Sequence, residues 1–160
     1  AGKSTFSKKL QSILKLELIH LDQYYHKPNW EEPEKAEWER IVYSLIQKPS
    51  WIMDGNFSGT MGVRIKSADT IIYLDYPTLK CCWRVILRIF KNHGNVRSDM
   101  ANGCKEQFNL EFLHFVLTFN SKFRKGIIQK LNLVKDEKKV LVFKTDKQAD
   151  KFLAQISEFK

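Results

Sequence analysis

The sequence is poor in the residues that would tie it to a metal cage, a disulfide scaffold or a membrane. Its three cysteines, the adjacent Cys81 and Cys82 and the distant Cys104, form neither a zinc pattern nor an even disulfide framework. A reducing cytoplasm is the expected setting. His20, His26, His93 and His114 lack metal-ligand spacing and read as core or surface residues. No apolar run approaches the roughly 20 residues a membrane helix needs, and no charged-then-apolar leader opens the sequence. No membrane is expected among the partners. Without repeats, low-complexity tracts or linkers, 160 residues of which 43% are apolar predict a single domain, 1–160, with one core.

Charge is unevenly placed. Residues 1–77 carry ten basic and ten acidic side chains, whereas residues 78–160 carry seventeen and eight, which accounts for all of the +9. Two stretches, 78–107 and 121–139, hold the excess. Confined positive charge predicts an anionic ligand or partner on one side, with a basic surface kept for solubility as the plain alternative.

Four apolar runs recur along the chain: Leu18-Ile19-His20-Leu21-Asp22, Trp51-Ile52-Met53-Asp54, Thr70-Ile71-Ile72-Tyr73-Leu74-Asp75 and Lys139-Val140-Leu141-Val142-Phe143. Three end in an acid. Helical patterns separate them: Phe6, Leu10, Ile13 and Leu14; then Trp38, Ile41, Val42, Leu45 and Ile46 within about 34–47; and at the end Phe152, Leu153, Ile156 and Phe159. Such alternation predicts an α/β fold with a mainly parallel sheet, whose ligands bind beyond the carboxyl ends of the strands. Asp22, Asp54 and Asp75 fall at that edge.

Residues 78–91 predict a buried helix, apolar nearly all round, with Lys80, Arg84, Arg88 and Lys91 forming one basic ridge. A polar, mobile stretch at about 92–107 follows, carrying Arg97. Phe108, Phe112, Phe115, Phe119 and Phe123 then recur at three- and four-residue steps, which predicts a helix packing its aromatics into the core.

The first five residues, Ala1-Gly2-Lys3-Ser4-Thr5, match the second half of the phosphate-binding pattern G-x-x-x-x-G-K-[S/T]. In that pattern Gly2 lets backbone approach phosphate, Lys3 reaches the β and γ phosphates, and the Ser4 hydroxyl joins a Mg²⁺ shell. Amide groups at the start of the helix favour the anion. Asp54 is the candidate metal-side carboxylate and Asp22 the candidate residue that orients or deprotonates an acceptor hydroxyl; a helix cap is the plain alternative for either. Arg84, Arg88, Arg97 and Arg124 would cover transferred phosphate, the 92–107 stretch acting as lid. Because the string starts within a motif, the native chain is expected to extend upstream by roughly ten residues, an apolar strand and the first half of the loop.

The order of motifs resembles the adenylate-kinase-like branch of P-loop kinases, and within it the bacterial DNA topology modulation proteins. The resemblance runs through Gly2-Lys3-Ser4-Thr5-Phe6, His20-Leu21-Asp22, Lys27-Pro28-Asn29-Trp30, Asp54-Gly55-Asn56-Phe57, Ala68 to Pro77 and Arg97-Ser98-Asp99-Met100. It implies a three-layer P-loop NTPase fold, a five-stranded parallel sheet in the order 2-3-1-4-5 whose first, central strand this sequence lacks. It also implies an acceptor-side insertion at about 23–48, Asp54 as the metal-side acid, and Thr145 near the adenine. Asp54-Gly55-Asn56-Phe57 departs from the Asp-Gly-Phe-Pro-Arg string of adenylate kinases, removing an arginine from the monophosphate pocket; Arg64 is the candidate substitute.

The leading expectation is therefore an ATP- and Mg²⁺-dependent phosphotransferase acting on a small acceptor held near Asp22, Tyr24, Trp30, Asn56 and Arg64. The rival is a nucleotide-dependent DNA-binding regulatory protein. Arginines converging on Gly2-Lys3-Ser4 would favour the first, and a separate exposed strip at Lys122, Lys125, Lys130, Lys135, Lys138 and Lys139 would keep the second open.

Overall fold

A computed structural model describes residues 2–158; Ala1 of the opening string and Phe159 of the last helical face lie outside the described residues. Helix α1 (Lys3–Leu14) starts where Gly2 takes φ 101°, a left-handed backbone that side chains avoid, and stops where Lys15 turns left-handed and donates to Gln11 O at 2.8 Å. Next come β1 (Leu18–His20), the short α2 (Leu21–Tyr25), a 3₁₀ turn at Pro28–Trp30, and α3 (Lys35–Ile46). Strand β2 (Ile52–Asp54), α4 (Met61–Ser67) and β3 (Thr70–Leu74) lead into the long α5 (Thr78–Asn92). After the 92–107 segment come α6 (Leu110–Phe119), a π turn at Asn120–Arg124, α7 (Lys125–Val134), β4 (Lys139–Phe143) and α8 (Asp146–Glu158).

The strands form two parallel pairs. β1 lies on β2 with His20 level with Asp54, and β3 lies on β4 from Thr70 opposite Lys139 to Leu74 opposite Phe143. Strand alternation divides the β3–β4 pair between two layers. Ile72, Leu74, Leu141 and Phe143 meet Phe6 and Leu10 of α1 and Leu153 of α8, while Ile71, Tyr73 and Val140 meet Ile65 of α4 and Ile127 and Leu131 of α7. α3 covers β1 through Trp38, Val42 and Leu45 packed on Ile19 and Leu21. Ile52 of β2 joins the cluster around Phe6 and Leu10, so α1 rests on both pairs. Between β2 and β3 lies a crevice of about 2180 Å³, whose walls include Ile52, Met53 and Asp54 on one side and Thr70 to Leu74 on the other.

The fold is thus mixed α/β with short parallel strands. Both pairings are neighbours in the order 2-3-1-4-5 once its first strand is left out, and no strand joins the two pairs among the described residues.

Two sequence expectations change. Helix α5 is not enclosed: Cys82, Val85 and Ile89 are buried, but Leu79, Trp83, Leu87 and Phe90 face outward. No sequence period could reveal this, because an all-round apolar pattern does not say which side finds a neighbour. The phenylalanine stripe reaches the core only in part: Phe119 packs on the Ile65, Ile127 and Leu131 cluster, while Phe108, Phe112, Phe115 and Phe123 are exposed. Phe115 touches Phe112, Phe119 and Phe123, ring against ring, and these four line the open crevice.

Candidate functional site

The crevice gathers its polar groups at the head of α1. A Cβ on Gly2 would lie 3.0 Å from Arg84 Nη1, so the guanidinium of α5 rests directly on the backbone preceding Lys3. Arg84 Nη2 donates to Asp146 Oδ2 at 2.7 Å, and Lys80 Nζ lies 2.6 Å from the same oxygen. These cations, Lys80 first, hold the Asp146 carboxyl down at about 2. Beneath them lies the Tyr76 ring, 4.7 Å from Lys80 Nζ and 5.3 Å from the Arg84 guanidinium.

On the opposite wall, the β1–β2 register sets His20 against Asp54. His20 Nδ1 and Asp54 Oδ2 are 3.1 Å apart and both side chains are buried. Asp54 Oδ1 is buried without a hydrogen-bond partner among the described residues. Gly55 follows at φ 143°, where a Cβ would press within 2.8 Å of Leu21 Cβ, so only glycine allows this close turn. Asp22, in the first turn of α2, has its carboxyl raised by burial, with Lys3 opposing and Asp54 adding to the rise. Lys3, Asp22 and Asp54 are therefore electrostatic neighbours.

Segment 92–107 docks over these groups. Gly94 N donates to Glu106 O and Glu106 N to Asn95 O, each at 2.9 Å, and Val96 pairs antiparallel with Lys105. Met100, Ala101 and Cys104 are buried against Trp30. Lys8 Nζ donates to Ser98 Oγ at 2.6 Å and Gln23 Nε2 to Ser98 O at 2.7 Å, which fastens the segment to α1 and α2. Burial would raise the Asp99 carboxyl, yet the Ser4 hydroxyl bonded to it and the Arg97 charge hold it below its ordinary value. Arg97 Nη1 donates to Asp99 Oδ2 at 3.3 Å. Its Nε lies 2.7 Å from Glu106 Oε2, an ion contact whose angle misses that of a hydrogen bond. Arg88 donates to Glu106 Oε1 through Nε at 3.2 Å and Nη2 at 3.0 Å. A continuous polar chain runs from Ser4 through Asp99, Arg97 and Glu106 to Arg88.

Most of the sequence candidates line this crevice: Gly2, Lys3, Ser4, Thr5, Asp22, Trp30, Asp54, Asn56, Arg64, Arg84, Arg88 and Arg97. Arg64 is committed to backbone, donating to the carbonyls of Gly55 at 3.2 Å, Asn56 at 2.7 Å and Phe57 at 2.9 Å. Burial lowers its guanidinium to about 10. Tyr24 is 40% exposed and lies outside the crevice lining. Arg124 grips Asp75 through two bonds of 2.7 Å beside a separate hollow, and the Thr145 hydroxyl accepts from Gln148 N at 3.3 Å, at the start of α8. Among the described residues, no three His, Cys, Asp or Glu side chains gather as a metal cage.

Sequence reasoning missed His20, Asp99, Glu106 and Asp146 as parts of the site. Two acids inside an otherwise basic stretch were the available signal for Asp99 and Glu106. Comparison with family models, with characterised proteins and with solved structures finds no match. Among the described residues no helix is long and apolar enough to cross a membrane.

Proposed function

We propose that the protein is a phosphotransferase with a P-loop NTPase-like architecture, which binds ATP over the head of α1 and passes its terminal phosphoryl group to a small hydroxyl-bearing or nucleotide-like acceptor. The observation that carries this is Arg84 seated on Gly2 at the N-terminus of α1, next to Lys3 and Ser4. Backbone amides at a helix start, an ammonium and a guanidinium together form an anion-binding head. Phosphoryl transfer depends on positioning and on charge stabilisation, and this arrangement supplies both.

In the step itself, the acceptor oxygen bonds to the terminal phosphorus and the bond from that phosphorus to the β–γ bridging oxygen breaks, leaving ADP. The acceptor proton passes to Asp22, whose raised carboxyl is a stronger base than an ordinary aspartate. Trp30 and Asn56 border the acceptor side, and the docked 92–107 segment excludes water. Mg²⁺, when bound, neutralises phosphate charge; the Ser4 hydroxyl and the unpartnered Asp54 Oδ1 fit it. Arg88 and Arg97, now held by Glu106, are the reserve of positive charge nearest the phosphate head.

The DNA-binding reading has its own support: Lys122, Lys125, Lys130 and Lys135 are exposed along the π turn and α7. Calorimetric titration with ATP and Mg²⁺, together with ADP release across a panel of nucleosides, nucleotides and sugars, separates the two. The expected result is ATP binding lost in Lys3→Ala and turnover with one acceptor class. Steeply salt-dependent DNA affinity with no turnover for any acceptor would replace the kinase reading.

A further inference from the structure

Helix α5 buries Cys82, Val85 and Ile89 yet has a second apolar side. Three of its basic side chains turn to carboxylates of the fold, Lys80 and Arg84 to Asp146 and Arg88 to Glu106. Its outer side carries Leu79 at 81% exposure, Trp83 at 62%, Leu87 at 48% and Phe90 at 81%. Scattered exposed apolar residues are ordinary, but four on one helix form a continuous stripe of the kind that marks an interaction site. We propose that this stripe is the interface of a homodimer, in which two copies of α5 pack antiparallel across a two-fold axis.

Spacing supports a second copy as the occupant. Leu79, Trp83, the half-buried Ile86 and Phe90 follow steps of four, three and four, the seam spacing that lets two helices interlock. In an antiparallel pair centred between Arg84 and Val85, Leu79 meets Phe90 of the second copy and Trp83 meets its Ile86. Both pairs share one centre, which a self-complementary two-fold interface requires. Charge does not oppose the seam. Thr78–Asn92 contains no acid, and three of its four cations are paired with carboxylates of their own fold, which leaves the outer stripe free of like-charge repulsion.

Area agrees as well. Taking about 200 Å² for a buried aromatic side chain, the exposed fractions of Trp83 and Phe90 offer roughly 300 Å² per copy. Leu79, Leu87 and the flanking helix surface bring each side near roughly 600 Å², the lower end of what a stable interface buries per partner. A membrane surface fits less well. Helices that lie on lipid turn their lysines and arginines toward the headgroups, whereas Lys80, Arg84 and Arg88 of α5 are paired with carboxylates of the fold. In the dimer the two crevices face away from the shared seam, each bordered by the inner side of its own α5.

Sedimentation velocity on the protein and two variants tests this. At about 50 µM the protein is expected to run as a dimer, Leu79→Glu as a monomer at least tenfold weaker in self-association, and Leu79→Glu with Phe90→Lys as a dimer again, since the two positions face each other. Far-UV circular dichroism checks the fold of each variant, and Phe90→Lys alone replaces Leu79→Glu if the latter unfolds. A monomeric wild type, a dimer indifferent to the single substitutions, or a folded double variant that stays monomeric overturns the proposal. So does a monomeric protein that sediments with phosphatidylglycerol vesicles and loses that binding in Trp83→Glu, which assigns the stripe to lipid.

Discussion

Glu106 is the acid on which the closed 92–107 segment depends, and replacing it by glutamine tests that dependence with little change of shape. The residue is 4% exposed and touches Arg88, 28% exposed, and Arg97, 14% exposed. Unit charges about 4 Å apart at an effective dielectric of about 20 attract by about 4 kcal/mol. The cost of taking a carboxylate from water offsets much of that gain, so the pair itself adds little net stability. Removing one partner is different, because it strands the other charges where water reaches them poorly, and such losses run to about 3–5 kcal/mol. Asp99 remains for Arg97 and the amide still accepts one bond from Arg88, which sets the expectation at the lower end, about 3 kcal/mol. In urea, with a slope of about 2 kcal/mol per molar, the unfolding midpoint should fall by about 1.5 M. Adding Arg88→Met to Glu106→Gln should then cost less than Arg88→Met alone, since a stranded cation has been removed. A midpoint shift under about 0.3 M, or additive effects, would refute the reasoning.

Gly2→Ala forces a side chain onto φ 101° and against Arg84, so a loss of about 1–2 kcal/mol in denaturant unfolding is expected, together with weaker phosphate binding at the head of α1. Asp22 carries a carboxyl raised in the folded state, so the stability it contributes is fully present below the unfolded value of 3.8 and is lost as pH rises through the folded one. Asp22→Asn should therefore gain stability relative to wild type as pH rises from about 4 toward 7, and a difference that stays flat across paired thermal melts would count against the assignment. Asn109 caps α6, its Oδ1 accepting from Phe112 N at 2.9 Å; Asn109→Ala should cost about 1 kcal/mol in urea unfolding.

Residues whose partners are local were the easiest to read. Ile52-Met53-Asp54 announces a strand that ends in an acid, and the strand does end at Asp54; Thr70–Leu74 is likewise followed by Asp75. Asp22 lies past its strand, inside α2, because β1 closes at His20 and Leu21 already turns into the helix. What stayed hidden depends on long-range placement. Glu106 meets Arg88 from 18 positions away, and nothing in the spacing links them. His20 becomes the partner of Asp54 only through strand register. Arg84 and Arg124 read alike as arginines in basic stretches, yet one reaches Gly2 while the other is spent on Asp75.

Among the described residues no strand joins the two parallel pairs, and α1 is a wall common to both. Mechanically, α1 is a shared brace, packed on residues of β2, β3 and β4. Helix α4 is a second common element, with Val63 on the Ile19–Trp38 cluster and Ile65 on the β3–β4 side. A ligand that orders the head of α1 acts on an element both pairs share. Occupancy there should therefore appear beyond the crevice, as slower amide exchange in β2 and in β3 alike.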